Sequence, residues 1–151
     1  MDIKQINEEE VAANEFEVRA LLSEILTANF SDIEGDFAGA YYDKLIVFLQ
    51  NGTAILFGAF DRGQLVGILW GYEVDNFDHK RIHINMIGVK SDFRGQGVAT
   101  ELMHAIEHIA VLRNICELEL MVNACNDRAV RCYQKGGYYV ERYKMLKVLS
   151  K

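Results

Sequence analysis

The chain has 151 residues, half of them hydrophobic and a quarter charged, which is typical of one folded domain and excludes a disordered or fibrous protein. With 22 acidic and 16 basic residues, its net charge of −6 disfavours unspecific nucleic-acid binding, which depends on Lys and Arg neutralising phosphates. No apolar run approaches the roughly 18 residues of a membrane span, so we expect no membrane partner.

The first third of the chain predicts one short strand followed by two helices. The segment DIKQI, residues 2–6, alternates weakly between apolar and polar residues and predicts a strand. Apolar residues then recur at helical spacing over residues 18–26 and again over residues 37–48, which predicts two amphipathic helices. Gly35 interrupts the pattern between them and is the expected helix breaker.

Three strands are predicted in succession over residues 53–89. The apolar runs AILFGAF and LVGILWGY flank residues 61–64, DRGQ, a four-residue connection typical of a β-hairpin. A third run, RIHINMIGV at residues 81–89, alternates clearly. This alternation predicts two faces, with Ile82, Ile84 and Met86 on one and His83, Asn85, Ile87 and Val89 on the other.

Helices and strands alternate in the last third of the chain. An apolar helical stripe over residues 98–113 follows the glycine-rich loop RGQG, and ELELMV at residues 117–122 predicts a strand. A short helix is expected to open at Asn126, and residues 138–149 predict one or two short strands. The order β-α-α-β-β-β-α-β-α-β, with one optional further strand, predicts a single α/β domain over residues 1–151 with a mixed sheet.

Cysteine and histidine residues give no sign of a disulfide framework or a metal site. Cys116, Cys125 and Cys132 form no C-x-x-C pair, and an odd number leaves one thiol unpaired under any disulfide scheme. Since the N-terminus lacks a signal peptide, we expect reduced thiols in a cytoplasmic protein. His104 and His108 are four residues apart but have no third ligand, so we expect a solvated helix face.

The RGQG loop joins a predicted strand to a predicted helix. The first N–H groups of a helix have no intrahelical acceptor, and the positive end of the helix dipole favours an anion there. Gly95 and Gly97 lack Cβ atoms, so a phosphate could approach the main chain, and Arg94 could add a charge-assisted contact. The alternative is a turn that needs positive φ and binds nothing. Neither the P-loop nor the dinucleotide motif fits, since Thr100 replaces the third glycine of the latter.

Two segments of the sequence resemble the GNAT superfamily of N-acetyltransferases. Residues 94–99, RGQGVA, are similar to the family signature R/Q-x-x-G-x-G/A, within a matching strand–loop–helix at residues 87–103. Residues 126–149 resemble the family's C-terminal N-x-x-A-x-x-x-Y-x-K-x-G-F/Y element. The resemblance runs from about Thr53 to the C-terminus. It implies a GNAT-like mixed, mostly antiparallel sheet of about six to seven strands with about four helices.

The resemblance implies acetyl-CoA as the acyl donor, and no metal. The loop main chain would hold the pyrophosphate, and the splayed end of the preceding strand would pair with the pantetheine arm. Asn126 resembles an asparagine that touches this arm, and it would also serve as a helix N-cap. A main-chain N–H near Ile87 would hold the oxyanion. The implied cofactor-binding residues are Ile87, Gly88, Val89, Arg94, Gly95, Gln96, Gly97, Val98, Ala99, Thr100 and Asn126.

The resemblance also implies two catalytic residues. Tyr133 resembles the family tyrosine that protonates the leaving CoA thiolate, although a helix tyrosine can also be a packing residue. At the two positions where relatives keep a glutamate, this chain has Met121 and His83. His83 is the candidate general base, because histidine exchanges protons near neutral pH. Glu119, Glu73 and a base acting through water are the alternatives.

The implied activity is direct transfer of an acetyl group from acetyl-CoA to a primary amine in a ternary complex. Acidic residues in segments 31–42 and 75–81 favour a small cationic amine as the acceptor. Two alternatives remain, namely acetylation of a protein N-terminal amine and a non-catalytic acyl-CoA-binding sensor module. Many relatives are dimers, so a homodimer is left open. We expect no nucleic-acid partner.

Overall fold

Backbone pairing joins five strands into one sheet, and their order across the sheet follows their order along the chain. The structure, a computed structural model, describes residues 1–30 and 35–150. The strands are β1 Asp2–Gln5, β2 Ile55–Asp61, β3 Gln64–Asn76, β4 His79–Val89 and β5 Leu118–Leu120. Neighbouring strands run antiparallel except β4 and β5, which are parallel. The predicted mixed, mostly antiparallel sheet is confirmed.

The described residues form five α-helices. They are α1 Glu8–Ala13, α2 Glu15–Asn29, α3 Phe37–Gln50, α4 Val98–Leu112 and α5 Asp127–Lys135. The first four, with the whole sheet, belong to a compact unit that ends at Met121, and α5 belongs to a second unit that begins at Val122. The helix that the sequence did not predict, α1, begins with a reciprocal capping box between Asn7 and Glu10. No described helix is long and apolar enough to cross a membrane.

One face of the sheet is covered by α1, α2 and α3. The stripe predicted for α2 is confirmed, because Val18, Leu21, Leu22, Ile25 and Leu26 are all buried. In α3 the buried positions are Tyr42 and Leu45, whereas Phe37 is 44% exposed. These helices pack on strand residues that include Leu56, Ile68, Trp70 and Met86.

The opposite face of the sheet is covered by α4. Its buried residues follow a helical stripe, as the sequence predicted, and they are Val98, Leu102, Ile106 and Ala110. The stripe packs on Ile55, Phe57, Leu69, Ile82 and Ile84, among other strand residues. The sheet is therefore buried on both faces, which explains the nearly continuous apolar runs of β2 and β3.

A β-bulge in β4 reverses the predicted alternation of its side chains. The pairing with β3 skips Asn85, which inserts one extra residue into β4. Every later side chain therefore moves to the other face. Ile82 and Ile84 pack toward α4, but Met86 packs with the α2 and α3 core, and Val89 packs toward α4. The prediction that Met86 shares a face with Ile82 is wrong.

The connection between β2 and β3 is shorter than the predicted four residues. Asp61 and Gln64 pair with each other, so only Arg62 and Gly63 form the turn. Both have positive φ, +50° and +82°, as a two-residue hairpin turn of type I′ requires.

The strands predicted over residues 138–149 do not form. In the second unit α5 is followed by Gly136, and residues 138–150 have neither helical nor strand backbone. The described chain therefore has five strands and not the predicted six or seven. A strand needs a neighbour to complete its hydrogen-bond ladder, and β-rich composition alone does not supply one.

Candidate functional site

The second half of β4 has an open edge. Only Ile82, His83 and Ile84 pair with β5, and within residues 1–121 the remaining residues, 85–89, have no strand partner on that side. In an antiparallel ladder with β3, alternate main-chain N–H and C=O groups of β4 point away from β3. This edge can therefore accept an extended ligand that pairs with the main chain.

The glycine loop directly after β4 exposes main-chain donors. Gly95 and Gly97 have φ of +74° and +82°, and a Cβ atom on either would meet no protein atom within 4 Å. Gly97 is the N-cap of α4, with no side-chain cap, and the first helical bond runs from Glu101 N to Gly97 O at 3.0 Å. The N–H groups of residues 98–100 therefore have no intrahelical acceptor.

Arg94 fixes the loop to its surroundings. Its Nε donates to the carbonyl of Val89 at 2.9 Å, and its Nη2 donates to the carboxylate of Glu24 in α2 at 3.0 Å. Gln96 folds back to donate to the carbonyl of Asp92 at 3.1 Å and does not cap α4. Arg94 thus braces the loop, and its predicted contact with a phosphate stays a prediction.

The loop fits a diphosphate group. The two glycines leave open space, the helix N-terminus carries a partial positive charge, and no loop side chain occupies the first-turn amides. The open edge of β4 leads directly into this loop, so one extended ligand could contact both. The roles of residues 87–89 and 95–100 in binding such a ligand stay predictions.

Gly88 is required for the close approach of α2 to β4. A methyl group at this position would overlap Cγ1 and Cδ1 of Ile25, which is buried in the core. The residue thus has a packing role in addition to its predicted role beside the ligand.

Replacing Gly88 with Ala is expected to lower the free energy of unfolding by about 1–3 kcal/mol, because an added core methyl forces side chains off their rotamers. Urea unfolding measures the loss. The double variant Gly88→Ala/Ile25→Ala should lose less than the sum of its single variants, because it removes the overlapping atoms. Strictly additive losses would contradict this interpretation.

A row of polar side chains crosses β3, β4 and β5. Tyr72, His83 and Glu119 lie directly opposite one another in the strand register. The Nδ1 atom of His83 is 3.2 Å from a carboxylate oxygen of Glu119, and the ring centroids of Tyr72 and His83 are 5.4 Å apart. Phe48 of α3 stacks on Tyr72, which places the row on the α3 side. The structure therefore brings together His83, the candidate base, and Glu119, its alternative.

Trp70 and Tyr72 lie two residues apart on β3 but differ in burial. Trp70 is fully buried, whereas Tyr72 is half-buried beside His83. Burial raises the pKa of Tyr72, and the charge of Glu119 adds to this rise. Sequence reasoning missed the residue as a neighbour of the candidate base, because only the β3–β4 register reveals it.

The other alternative base, Glu73, forms ion pairs with Arg113 and Lys80. Its carboxylate accepts from Arg113 at 3.0 Å and from Lys80 at 3.3 Å. The Arg113 hydrogen bond, followed by that of Lys80, lowers the pKa of Glu73. A carboxylate stabilised in its charged form is a weaker base, so the structure favours His83 over Glu73.

Two of the acidic residues predicted to attract a cationic ligand, Asp36 and Asp78, have structural roles. Asp36 caps α3 by accepting from Gly39 N at 2.8 Å. The carboxylate of Asp78 lies 3.0 Å from Nδ1 of His79, and this hydrogen bond lowers its pKa. Asp32 and Glu34 lie outside the described residues. These segments alone therefore give little support for a cation site.

The second unit contains the other two predicted site residues, Asn126 and Tyr133. Asn126 is the N-cap of α5 and accepts from Ala129 N at 3.3 Å, which confirms its capping role. The ring of Tyr133 packs edge-on against Tyr138, with centroids 5.8 Å apart. Burial raises the pKa of Tyr133, with a smaller contribution from Cys132. Its phenol therefore stays protonated, as a proton donor must.

The described residues contain no group of three or more His, Cys, Asp or Glu side chains that could hold a metal ion. His104 and His108 are exposed on α4. Cys116, Cys125 and Cys132 are exposed free thiols.

The known sequences that resemble this chain are acetyltransferases. A model of the acetyltransferase (GNAT) family matches residues 17–138. The uncharacterized N-acetyltransferase YdgE of Bacillus subtilis is 34% identical over 89 residues, which are 59% of this chain and 57% of that protein. Mycothiol acetyltransferase of Propionibacterium freudenreichii is 33% identical over 81 residues, 53% of this chain and 26% of that protein. The chain thus matches about half, or less, of the length of these relatives.

Solved structures of acetyltransferases resemble this chain in fold. An aminoglycoside acetyltransferase from an uncultured soil metagenomic sample has a TM-score of 0.72 and 25% identity, covering 99% of this chain and 98% of that one. A ribosomal-protein-alanine N-acetyltransferase from Brucella melitensis biovar Abortus 2308 has a TM-score of 0.73 and 20% identity, covering 99% and 100%. The second likeness is one of fold alone.

Proposed function

Because the chain belongs to the GNAT family of acetyltransferases, we propose that it transfers an acetyl group from acetyl-CoA directly to a primary amine in a ternary complex. The observation that carries this proposal is the glycine loop, whose donors at the N-terminus of α4 are open and match a diphosphate. Acetyl-CoA would supply the acetyl group as an activated thioester.

The binding residues of the proposed complex follow from the open edge and the loop. The main chain of Ile87, Gly88 and Val89 would pair with the pantetheine arm, and the amides of residues 95–100 would hold the pyrophosphate. Asn126 would add a contact to the pantetheine arm, beside its capping role. The hydrogen bonds of Arg94 support the loop in the required conformation.

The chemistry moves three protons when the acceptor starts as a primary ammonium ion. In our proposal His83 takes up the first proton, which frees the nitrogen lone pair for attack. A new C–N bond then forms between the nitrogen and the acetyl carbon, and the C–S bond to CoA breaks. The nitrogen loses its second proton to water as the amide forms, and Tyr133 gives a proton to the departing sulfur. A main-chain N–H of β4 near Ile87 would hold the carbonyl oxygen as it gains charge. The two side chains return to their starting states by exchanging protons with water.

We propose a small cationic amine as the acceptor. The net charge of −6 favours approach of a cation over long range. A structural neighbour at 25% identity is named as an aminoglycoside acetyltransferase, and aminoglycosides are cationic amines. Peptides with a free N-terminus are the comparison substrates in the test.

The test is to incubate the chain with acetyl-CoA and a panel of amines and peptides, and to follow the release of free thiol. Turnover of at least one cationic amine, faster than of any peptide, is the expected result. Calorimetric binding of CoA without turnover of any acceptor would instead identify a non-catalytic acyl-CoA-binding module.

Replacing Gly97 with Ala is expected to weaken acetyl-CoA binding at least tenfold, because the new methyl group enters the space left for the phosphates (about 1.4 kcal/mol per tenfold). Gly63→Ala is the matched control, since both glycines have φ of +82° and open surroundings. Both variants should lose about 1 kcal/mol of stability through backbone strain. Calorimetry and thermal unfolding separate the two effects, and equal affinity in both variants would contradict the proposed phosphate site.

A further inference from the structure

The parallel register of β4 and β5 gives His83 a carboxylate neighbour, Glu119. His83 lies opposite Glu119, and their side chains are 15% and 35% exposed. The 3.2 Å separation of Nδ1 and Oε2 is within hydrogen-bond reach. Such a half-buried pair is less screened by water and salt than a fully exposed one.

This contact determines which ring nitrogen carries the proton. An ionised carboxylate can only accept hydrogen bonds, so Nδ1 must be the donor. In the neutral ring, Nε2 then has the free lone pair. Among the described residues of the range 1–121, the hydrogen bond of the His83 ring is made through Nδ1, and Nε2 has no hydrogen-bond partner. The histidine therefore presents one defined proton acceptor.

Aromatic side chains restrict the imidazole from the side opposite Glu119. The ring of Tyr72 packs against it at a 40° tilt, and Phe48 stacks on Tyr72 with centroids 5.3 Å apart. The ring is thus held between a carboxylate on β5 and an aromatic stack on β3 and α3.

A second glutamate on the same face of this edge provides a contrast. Glu117 precedes β5 and lies opposite Arg81, from which it accepts at 2.6 Å. It also contacts Nε2 of His79 at 2.6 Å. Glu117 thus serves a neighbouring ion pair and does not contact His83, although the two glutamates are only two residues apart.

We propose that Glu119 is a positioning residue that fixes His83 as the Nδ1–H tautomer, so that Nε2 can receive the proton of the acceptor amine. The proposal rests on the proposed acetyl transfer. Glu119 does not touch the amine itself. Once the proton has moved to Nε2, the carboxylate stabilises the resulting imidazolium, as carboxylate partners do in other catalytic histidine pairs.

The decisive test combines Glu119→Ala with the matched control Glu117→Ala. Nitrogen NMR of the imidazole side chains in the free protein should show the Nδ1–H form of His83 in the wild type and in Glu117→Ala. In Glu119→Ala the signal should shift toward the Nε2–H form. A wild-type Nε2–H form, or a tautomer unchanged by Glu119→Ala, would overturn the proposal.

Kinetics test the consequence of the tautomer for catalysis. Glu119→Ala should lower kcat by roughly 10- to 100-fold and leave KM for acetyl-CoA unchanged, whereas Glu117→Ala should retain wild-type kcat. The isosteric Glu119→Gln provides a folded comparison if alanine lowers stability. A shifted tautomer with unchanged kcat would overturn the positioning role. If the wild type binds acetyl-CoA but turns over no amine, the proposed function fails, and the NMR result alone then decides the assignment of Glu119.

Discussion

Replacing Tyr133 with Phe is expected to lower kcat by roughly 10²- to 10⁴-fold, because the departing CoA sulfur would lose its general acid. The substitution removes a single oxygen and keeps the ring that packs against Tyr138. Calorimetric affinity for CoA should therefore stay close to that of the wild type. The measurement is thiol release at saturating acetyl-CoA and amine.

The pH dependence provides a second test of Tyr133. Burial raises the pKa of its phenol, so the protonated donor persists above the usual range of tyrosine. The wild type should keep its rate into that alkaline region, and it should lose rate only when the phenol ionises. Tyr143→Phe is the matched control, since Tyr143 lies in the same unit and is 85% exposed. A Tyr133→Phe variant with full rate across pH would exclude the general-acid role.

Replacing His83 with Gln is expected to lower kcat at neutral pH by roughly 10²- to 10⁴-fold, because a protonated amine would have no group to receive its proton. The deficit should shrink as the pH rises, since the fraction of free amine then increases without help from the protein. Thiol release measured from neutral to alkaline pH shows both effects.

His104→Gln is the control for the histidine substitution, because His104 is exposed on α4, on the opposite side of the sheet from His83. It should leave both kcat and the pH profile unchanged. A His83→Gln variant with wild-type kcat at neutral pH would rule out His83 as the base and favour proton transfer through water.

The sequence predicted those elements of the fold that depend on the spacing of residues close together in the chain. The α2 stripe and the α4 helix follow from apolar spacing, because each helix buries one face against the sheet. The glycine loop was also predictable, since two glycines between a strand and a helix favour positive φ and open amides. Asn126 as an N-cap is a similarly local preference.

The features that the sequence did not predict depend on contacts between segments that are distant in the chain. The bulge at Asn85 appears only when β4 is aligned with β3, so simple alternation placed Met86 on the wrong face. The apolar residues of 138–149 were interpreted as strands, but strand formation depends on a partner that composition does not reveal. The pairing of Glu119 with His83 likewise requires the parallel register, because 36 residues separate them in the chain.

The bulge also has a consequence for how β4 can vary. Before the bulge the even-numbered residues Ile82 and Ile84 face α4, whereas after it the odd-numbered Val89 faces α4. The change occurs at Asn85, which has no partner in β3. Deleting Asn85 would leave Ile84 and Met86 as neighbours in regular alternation, so every later side chain would keep its present face. Deleting any other residue on either side of the bulge would instead move part of the strand to the wrong face, and both cores would have to repack. Asn85 is therefore the one position in β4 at which we expect a change in strand length to be accommodated.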